Sequence, residues 1–217
     1  MVPARNPQLR VVRTAPAELY PALSDDDLLD GLIRGDRGLG SELCRRMMRV
    51  VDGTLYRVLG RREVDHDDLV QASFEQIVLT LNRGKFSREC SLSTWASAIT
   101  CNVALHAIRR RRTERRIFDD SYDPDALARQ AVGLSDPESQ AGSREELASV
   151  RRHLGRMSEK LAKTLLVHDM LGCSLAETAT ITGVSMAAAQ SRLVRGRKEL
   201  ATRLRHERER MPKGVRQ

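Results

Sequence analysis

The 217-residue chain carries 37 Lys and Arg against 29 Asp and Glu, a formal charge of +8, with a pI near 9.8. Aromatic residues make up only 3% of it, so burial falls to Leu, Val, Ile, Ala and Met, and two small helical domains fit better than one large globule. No apolar run approaches the ~20 residues that cross a bilayer, and the N-terminus lacks a signal-peptide core, so the expected location is the cytoplasm. The excess cation is mostly arginine, whose planar fork matches phosphate; nucleic acid is the expected partner, and a basic protein without one is the plain alternative. Cys44, Cys90, Cys101 and Cys173 are scattered with no CxxC pair, so free thiols are expected. A zinc site from Cys90, Cys101 and His106 is disfavoured because no ligand pair has finger-like spacing, and no metal or cofactor is expected.

Residues 1–23, with Pro3, Pro7, Pro16 and Pro21, read as a loose arm. Ser24 then opens SDDDLLDGLIRGD, where Ser24 and Asp27 resemble a capping box with a shortened acid. Three aspartates suit the positive end of that helix, Leu28, Leu29, Leu32 and Ile33 form its apolar side, and Gly35, Gly38 and Gly40 break it. A second helix is expected over Ser41–Leu59, with Leu43, Met47, Val50 or Val51, and Leu55 in helical register. Asp65 to Asp68 cap a third, running to Leu81, with Leu69, Phe74, Ile77 or Val78, and Leu81 inward. Its outer side shows Asp68, Gln71 and Glu75, either a solvated face or a surface for a protein partner.

A loop from Asn82 to Cys90 projects Lys85, Phe86 and Arg88. The stretch Ser91–Arg112, SLSTWASAITCNVALHAIRRRR, holds the single tryptophan, Trp95. Leu92, Trp95 or Ala96, Ile99, Val103 and Ala107 return to one helical face; Thr100, Asn102 and His106 form a polar one, and Arg109–Arg112 a cationic end. Ser91 or Ser93 supplies the cap. That helix suits a polyanion and not an enzyme pocket, since no carboxylate, thiol and histidine converge on it. No phosphate loop, metal cluster or nucleophile motif elsewhere supports catalysis.

Residues 117–145 are acidic and rich in Pro, Gly and Ser, the composition of a flexible linker with room for a short helix at Asp125–Ala131. Helices resume from Ser143, with Leu147, Val150, Leu154 and Met157, then Leu161, Leu165, Val167 or His168, and Leu171 behind a Ser158 cap; Gly172 stops that run. Ser174 and Glu177 form a capping box, Thr182-Gly183-Val184 makes a tight turn, and Ser185 caps a last helix from Met186 to about Arg205. A short helix, a glycine turn and a second helix make a helix-turn-helix, packed through Leu175, Ala179, Val184, Ala189 and Leu193. A purely structural helical hairpin is the alternative.

DDLVQASFEQI followed by LNRGKFSRECSLSTWASAITCNVALHAIRRRR resembles region 2 of bacterial sigma factors of the extracytoplasmic-function (ECF) class. The acidic DLVQ helix, the aromatic loop, the S-L-x-T-W helix, an Asn seven residues after the Trp and a basic end stand in family order. Ala72 replaces the usual Glu and Val78 a frequent Trp, departures that bear on polymerase docking and on a stacking contact. GVSMAAAQSRLVRGR, Gly183–Arg197, resembles the region-4 recognition helix, although Arg156-Met157 replaces the common Leu-Pro.

The resemblance implies an all-α protein of two small helical domains: region 2 over 24–116, the linker, region 4 over 146–206 and a basic tail over 207–217. It implies a sigma factor that binds core RNA polymerase and promoter DNA, helps open the duplex, and answers to an anti-sigma factor. Asp68, Leu69, Gln71 and Glu75 would meet polymerase. Lys85, Phe86, Trp95, Asn102, Arg109 and Arg110 would meet the −10 element as single strand. Ser185, Ala187, Ala188, Gln190, Ser191, Arg192, Arg195 and Arg197 would meet the −35 duplex, with base contacts at the helix start and arginines on phosphates. In that family the linker threads through polymerase near the RNA exit path; a plain solvated spacer is the simpler reading. The rival function is a helix-turn-helix regulator that never touches polymerase, which leaves the DLVQ helix and the Trp95 segment unexplained.

Overall fold

The computed structural model describes residues 23–118 and 137–210, and the described residues are all helix, turn and loop. The helices are α1 (Asp25–Ile33), α2 (Arg37–Leu59), α3 (His66–Asn82), α4 (Leu92–Phe118), α5 (Pro137–Leu154), α6 (Glu159–Leu165), α7 (Leu175–Thr182) and α8 (Met186–Arg210). A π-helical turn, Leu166–Met170, follows α6 directly. The N-terminal arm and the short helix expected at Asp125–Ala131 lie outside the described residues. α5 begins at Pro137, inside the stretch read as linker; a proline at the first helical position forfeits no hydrogen bond. No described helix is long and apolar enough to cross a membrane.

The chain divides within α2 into two units, residues 1–47 and 48–217. In the first, the Ser24 hydroxyl accepts the Asp27 N–H. Aspartate is too short to reach back to the cap N–H, and its carboxylate takes the Ser24 hydroxyl proton at 2.6 Å instead. Only Gly35, at φ 91°, breaks the chain; Gly38 and Gly40 lie inside α2. Gly31 has no side chain because a Cβ there would run into Leu39. The carboxylate of Glu42 is nearly enclosed, and hydrogen bonds from Arg45 and then Arg46 hold its pKa down to about 2.

In the second unit α4 packs on α3 and also on α5, α6 and the π turn. This second neighbour explains why its buried set is wider than one stripe. Ala98, Thr100, Cys101, Ala104 and Leu105 are buried, whereas Ile99 and Val103 are only half-buried. Thr100, expected on the polar face, is fully enclosed and satisfies its hydroxyl on the Ala96 carbonyl. Burial pushes the Cys101 thiol up to about 12. Ser91, not Ser93, caps α4 through the Thr94 N–H.

Asp65 precedes α3 without capping it; its carboxylate takes Arg110 at 2.8 Å and Arg111 at 2.5 Å. Arg151 of α5 donates to the Val58 carbonyl at the end of α2, a cation at a helix C-terminus, and Gly60 leaves room for its guanidinium. Leu147, expected inward, is 53% exposed, while Leu154 and Met157 are buried.

Glu207 of α8 ties α5 to the last helix by accepting from Ser149, from Arg152 at 2.9 Å and from His153 at 2.8 Å. Burial alone would raise its pKa; the three hydrogen bonds overcome that and lower it to about 2. Because the folded value lies below the ordinary 4.5, this stabilisation is complete above pH 4.5 and is lost as pH falls toward 2. Glu207→Gln is expected to reduce stability at pH 7 by on the order of 2 kcal/mol, allowing for its partial exposure. Urea unfolding at stepped pH should show the gap to wild type closing on acidification.

Candidate nucleic-acid interface

The helix-turn-helix is built around its turn. Ser174 and Glu177 form the reciprocal capping box that starts α7. Gly183 ends that helix at φ 67°, ψ 42°, with its own N–H on the Thr180 carbonyl and the Val184 N–H on the Ala179 carbonyl. Ser185 then accepts the Ala188 N–H and starts α8. Ala179, Ala189 and Leu193 are buried between the two helices and what underlies them. Gly196 passes Leu165 so closely that a Cβ would sit 3.1 Å from two of its carbons.

This leaves Ser185, Ala187, Gln190, Ser191, Arg195 and Arg197 exposed and Ala188 and Arg192 half-buried. Arg195 is exposed and, among the described residues, bonds the Ser191 carbonyl. Arg197, read from sequence as a free phosphate ligand, is drawn onto Asp169 of the π turn at 2.5 and 3.0 Å. Its guanidinium lowers the Asp169 pKa. Nothing in the sequence signals this pair, whose members lie 28 residues apart.

Asp68 and Glu75 are exposed on α3, with the Gln71 amide donating to Glu75 at 3.0 Å, so the three make one polar patch. Leu69 is 5% exposed and belongs to the core beneath that patch, not to its surface. The loop after α3 is folded back: the Lys85 N–H bonds the Thr80 carbonyl, and Arg88 takes φ 60°, a conformation uncommon outside glycine. Phe86 lies against Trp95 with ring centroids 4.9 Å apart at 44°. Trp95 itself is 7% exposed, so its ring supports the loop and is not an open stacking platform.

Asn102 is half-buried and makes no hydrogen bond with a described residue. Lys85 is exposed. The basic end of α4 is engaged: Arg109 donates to the Met157 carbonyl at 2.9 Å and to Glu159, and Arg110 and Arg111 share Asp65. No cluster of three His, Cys, Asp or Glu able to hold a metal lies among the described residues.

A bundle with an acidic helix face and an aromatic loop, followed by a capped helix-turn-helix, is the architecture of a DNA-binding transcription protein. The Sigma-70 region 2 family model matches residues 43–114, and the Sigma-70, region 4 model matches residues 147–200. The ECF RNA polymerase sigma factor SigM of Mycobacterium tuberculosis is 30% identical over 180 residues, which cover 82% of this chain and 83% of SigM. RNA polymerase sigma factor CnrH of Cupriavidus metallidurans is 28% identical over 150 residues, 68% of this chain and 78% of its own. The solved structure of CnrH in complex with the cytosolic domain of CnrY gives a TM-score of 0.47 at 20% identity, covering 82% of this chain and 96% of that one. The chain belongs to the ECF class of the sigma-70 family. It is a sigma factor, which binds core RNA polymerase and directs promoter recognition; it is not an enzyme.

Proposed function

We propose that three surfaces divide this work. Asp68, Gln71 and Glu75 on α3 dock on core polymerase. The Lys85–Phe86 loop with Asn102 takes an unpaired base of the −10 element and so helps hold the duplex open. The first turns of α8 enter the −35 major groove, where Ala187, Ala188, Gln190 and Ser191 lie nearest the base edges. The observation that carries this reading is the start of α8: its cap is satisfied within the turn by Ser185, and Ala187, Gln190 and Ser191 that follow are exposed. The site of action is the cytoplasm, where polymerase and chromosome are. An anti-sigma factor that restrains the chain belongs to the same reading, as the family implies.

Run-off transcription with purified core polymerase on a genomic promoter library tests it. Specific transcripts that depend on the chain are expected; none from any template would defeat the reading. Within α8, Arg195→Ala should weaken binding to all −35 sequences alike and reduce the slope of log affinity against log salt by about one, as loss of a single phosphate contact requires. Arg197→Ala should change that slope less, because Asp169 already neutralises Arg197. A change of sequence preference in Arg195→Ala at unchanged salt slope would show that the residue reads bases.

A further inference from the structure

The second half of α2 and the start of α4 enclose a hollow of about 240 Å3 that none of the three surfaces uses. Arg49, Gly53, Thr54 and Arg57 line it from one helix and Thr94 and Ser97 from the other, and no carboxylate faces it. Earlier on α2, Arg45 and Arg46 are held by Glu42. Arg49 and Arg57 are exposed, and neither bonds or pairs with a described residue. Two guanidiniums, each with five N–H donors in a planar fork, therefore border one hollow with no acid beside them.

Two details of the hollow have no explanation in packing. Glycine inside a helix is less stable than alanine, yet Gly53 lies inside the 23-residue α2. At Gly31 a Cβ is excluded by Leu39, whereas a Cβ at Gly53 would meet nothing within 4 Å. Its absence leaves bare backbone along the wall, the arrangement that lets a ligand approach closely. Thr54 is only 4% exposed, and its hydroxyl bonds Ser97 at 3.3 Å, longer than the ordinary span between two hydroxyls. A buried hydroxyl so weakly engaged gains from an acceptor that enters the hollow. Thr94 stands in the first turn of the 27-residue α4, where the aligned peptide dipoles also favour negative charge.

We propose that this hollow binds a free small molecule through a phosphate or pyrophosphate group, with Arg49 and Arg57 on its oxygens and Thr54 and Ser97 donating their hydroxyls. The volume lies below the ~300–1,000 Å3 of pockets that enclose drug-sized ligands, so it suits the anionic group and not a whole dinucleotide. The site shares no residue with the polymerase patch, the −10 surface or the −35 helix. Ser97 lies about 140° round α4 from Asn102, so the anion is held on a different face from the captured strand.

Calorimetric titration of inorganic pyrophosphate and inorganic phosphate into the full-length chain, in phosphate-free buffer with about 0.15 M sodium chloride, tests the site. One pyrophosphate per chain is expected, held more tightly than phosphate. Arg49→Gln and Arg57→Gln each remove one charge-assisted contact and should weaken binding about tenfold. Gly53→Leu puts a side chain into the hollow and should abolish binding while the melting temperature holds or rises, because leucine is the better helix former. Should Gly53→Leu not fold, the two exposed arginines carry the test.

No binding of either anion at about 1 mM would overturn the site. Binding that all three variants leave at wild-type strength would overturn it as well, since the anion would then sit elsewhere on this basic chain. A short oligothymidylate separates a free ligand from a strand. If it displaces pyrophosphate from the wild type and loses affinity in Gly53→Leu, the hollow takes a DNA phosphate and the free-ligand assignment falls. Pyrophosphate retained at full stoichiometry beside the oligonucleotide supports it.

Discussion

Reversing two charges on α3, Asp68→Lys with Glu75→Lys, is expected to lower affinity for core polymerase by roughly a hundredfold. Both carboxylates are exposed, and the Gln71–Glu75 hydrogen bond holds one end of the patch in a fixed geometry. Replacing attraction with like-charge contact at a complementary interface costs several kcal/mol, and each 1.4 kcal/mol is a factor of ten. The fold should be indifferent, because the residues that seat α3 are Leu69, Ser73 and Ile77, all buried on its opposite side. Region-4 binding to duplex should be unchanged as well. A pull-down titration with core polymerase reads the effect; undiminished affinity would mean that polymerase docks elsewhere.

Asn102→Ala is expected to abolish most promoter opening and to relax preference at one −10 position, an effect of about 1–3 kcal/mol for a lost base contact, or tenfold and more. The amide offers a donor and an acceptor, it is half-buried beside the Trp95 helix face, and it has no hydrogen-bond partner among the described residues. A half-buried amide that no described side chain or backbone group engages is suited to a ligand group that completes it. The same lack of a partner means that its removal leaves no other group unsatisfied, so melting temperature and core binding should persist. Permanganate footprinting on single-base −10 variants, run beside a melting curve, decides the matter. A lower melting temperature with unaltered base preference would make Asn102 structural.

Most helix starts and stops were legible from local chemistry, although Asp65 does not cap α3 and Gly38 and Gly40 lie inside α2. Ser158, Ser174 and Ser185 announce starts, and Gly172 and Gly183 take the positive φ that the stops require. What stayed hidden depends on a second neighbour. Periodicity places one apolar stripe on α4, yet α4 is packed on two sides, and Ala98, Thr100 and Ala104 are small enough to be buried without looking hydrophobic. Leu147 fails in the other direction, being apolar but at the margin of α5.

The site divides along the same line. The exposed face of α8 and the α3 patch are matters of spacing. The fate of the arginines is not, because Arg109, Arg110 and Arg111 are claimed by acids 45 to 50 residues away. A run of four arginines therefore reads as a free cationic end when much of it holds the fold together. The π turn also has no local signature; it appears as the bond from the Leu171 N–H to the Leu166 carbonyl and sets Asp169 where it meets Arg197.

The pairing of Phe86 with Trp95 has an optical consequence. Trp95 is the only indole in 217 residues, so near-ultraviolet emission excited at the red edge of absorption arises from a single place in the molecule. That place is the root of the loop next to Asn102, and its chromophore is shielded by the very ring that must shift when the loop lifts. The protein thus carries its own unlabelled dye at the foot of that loop, where any change in the Phe86–Trp95 contact alters its emission.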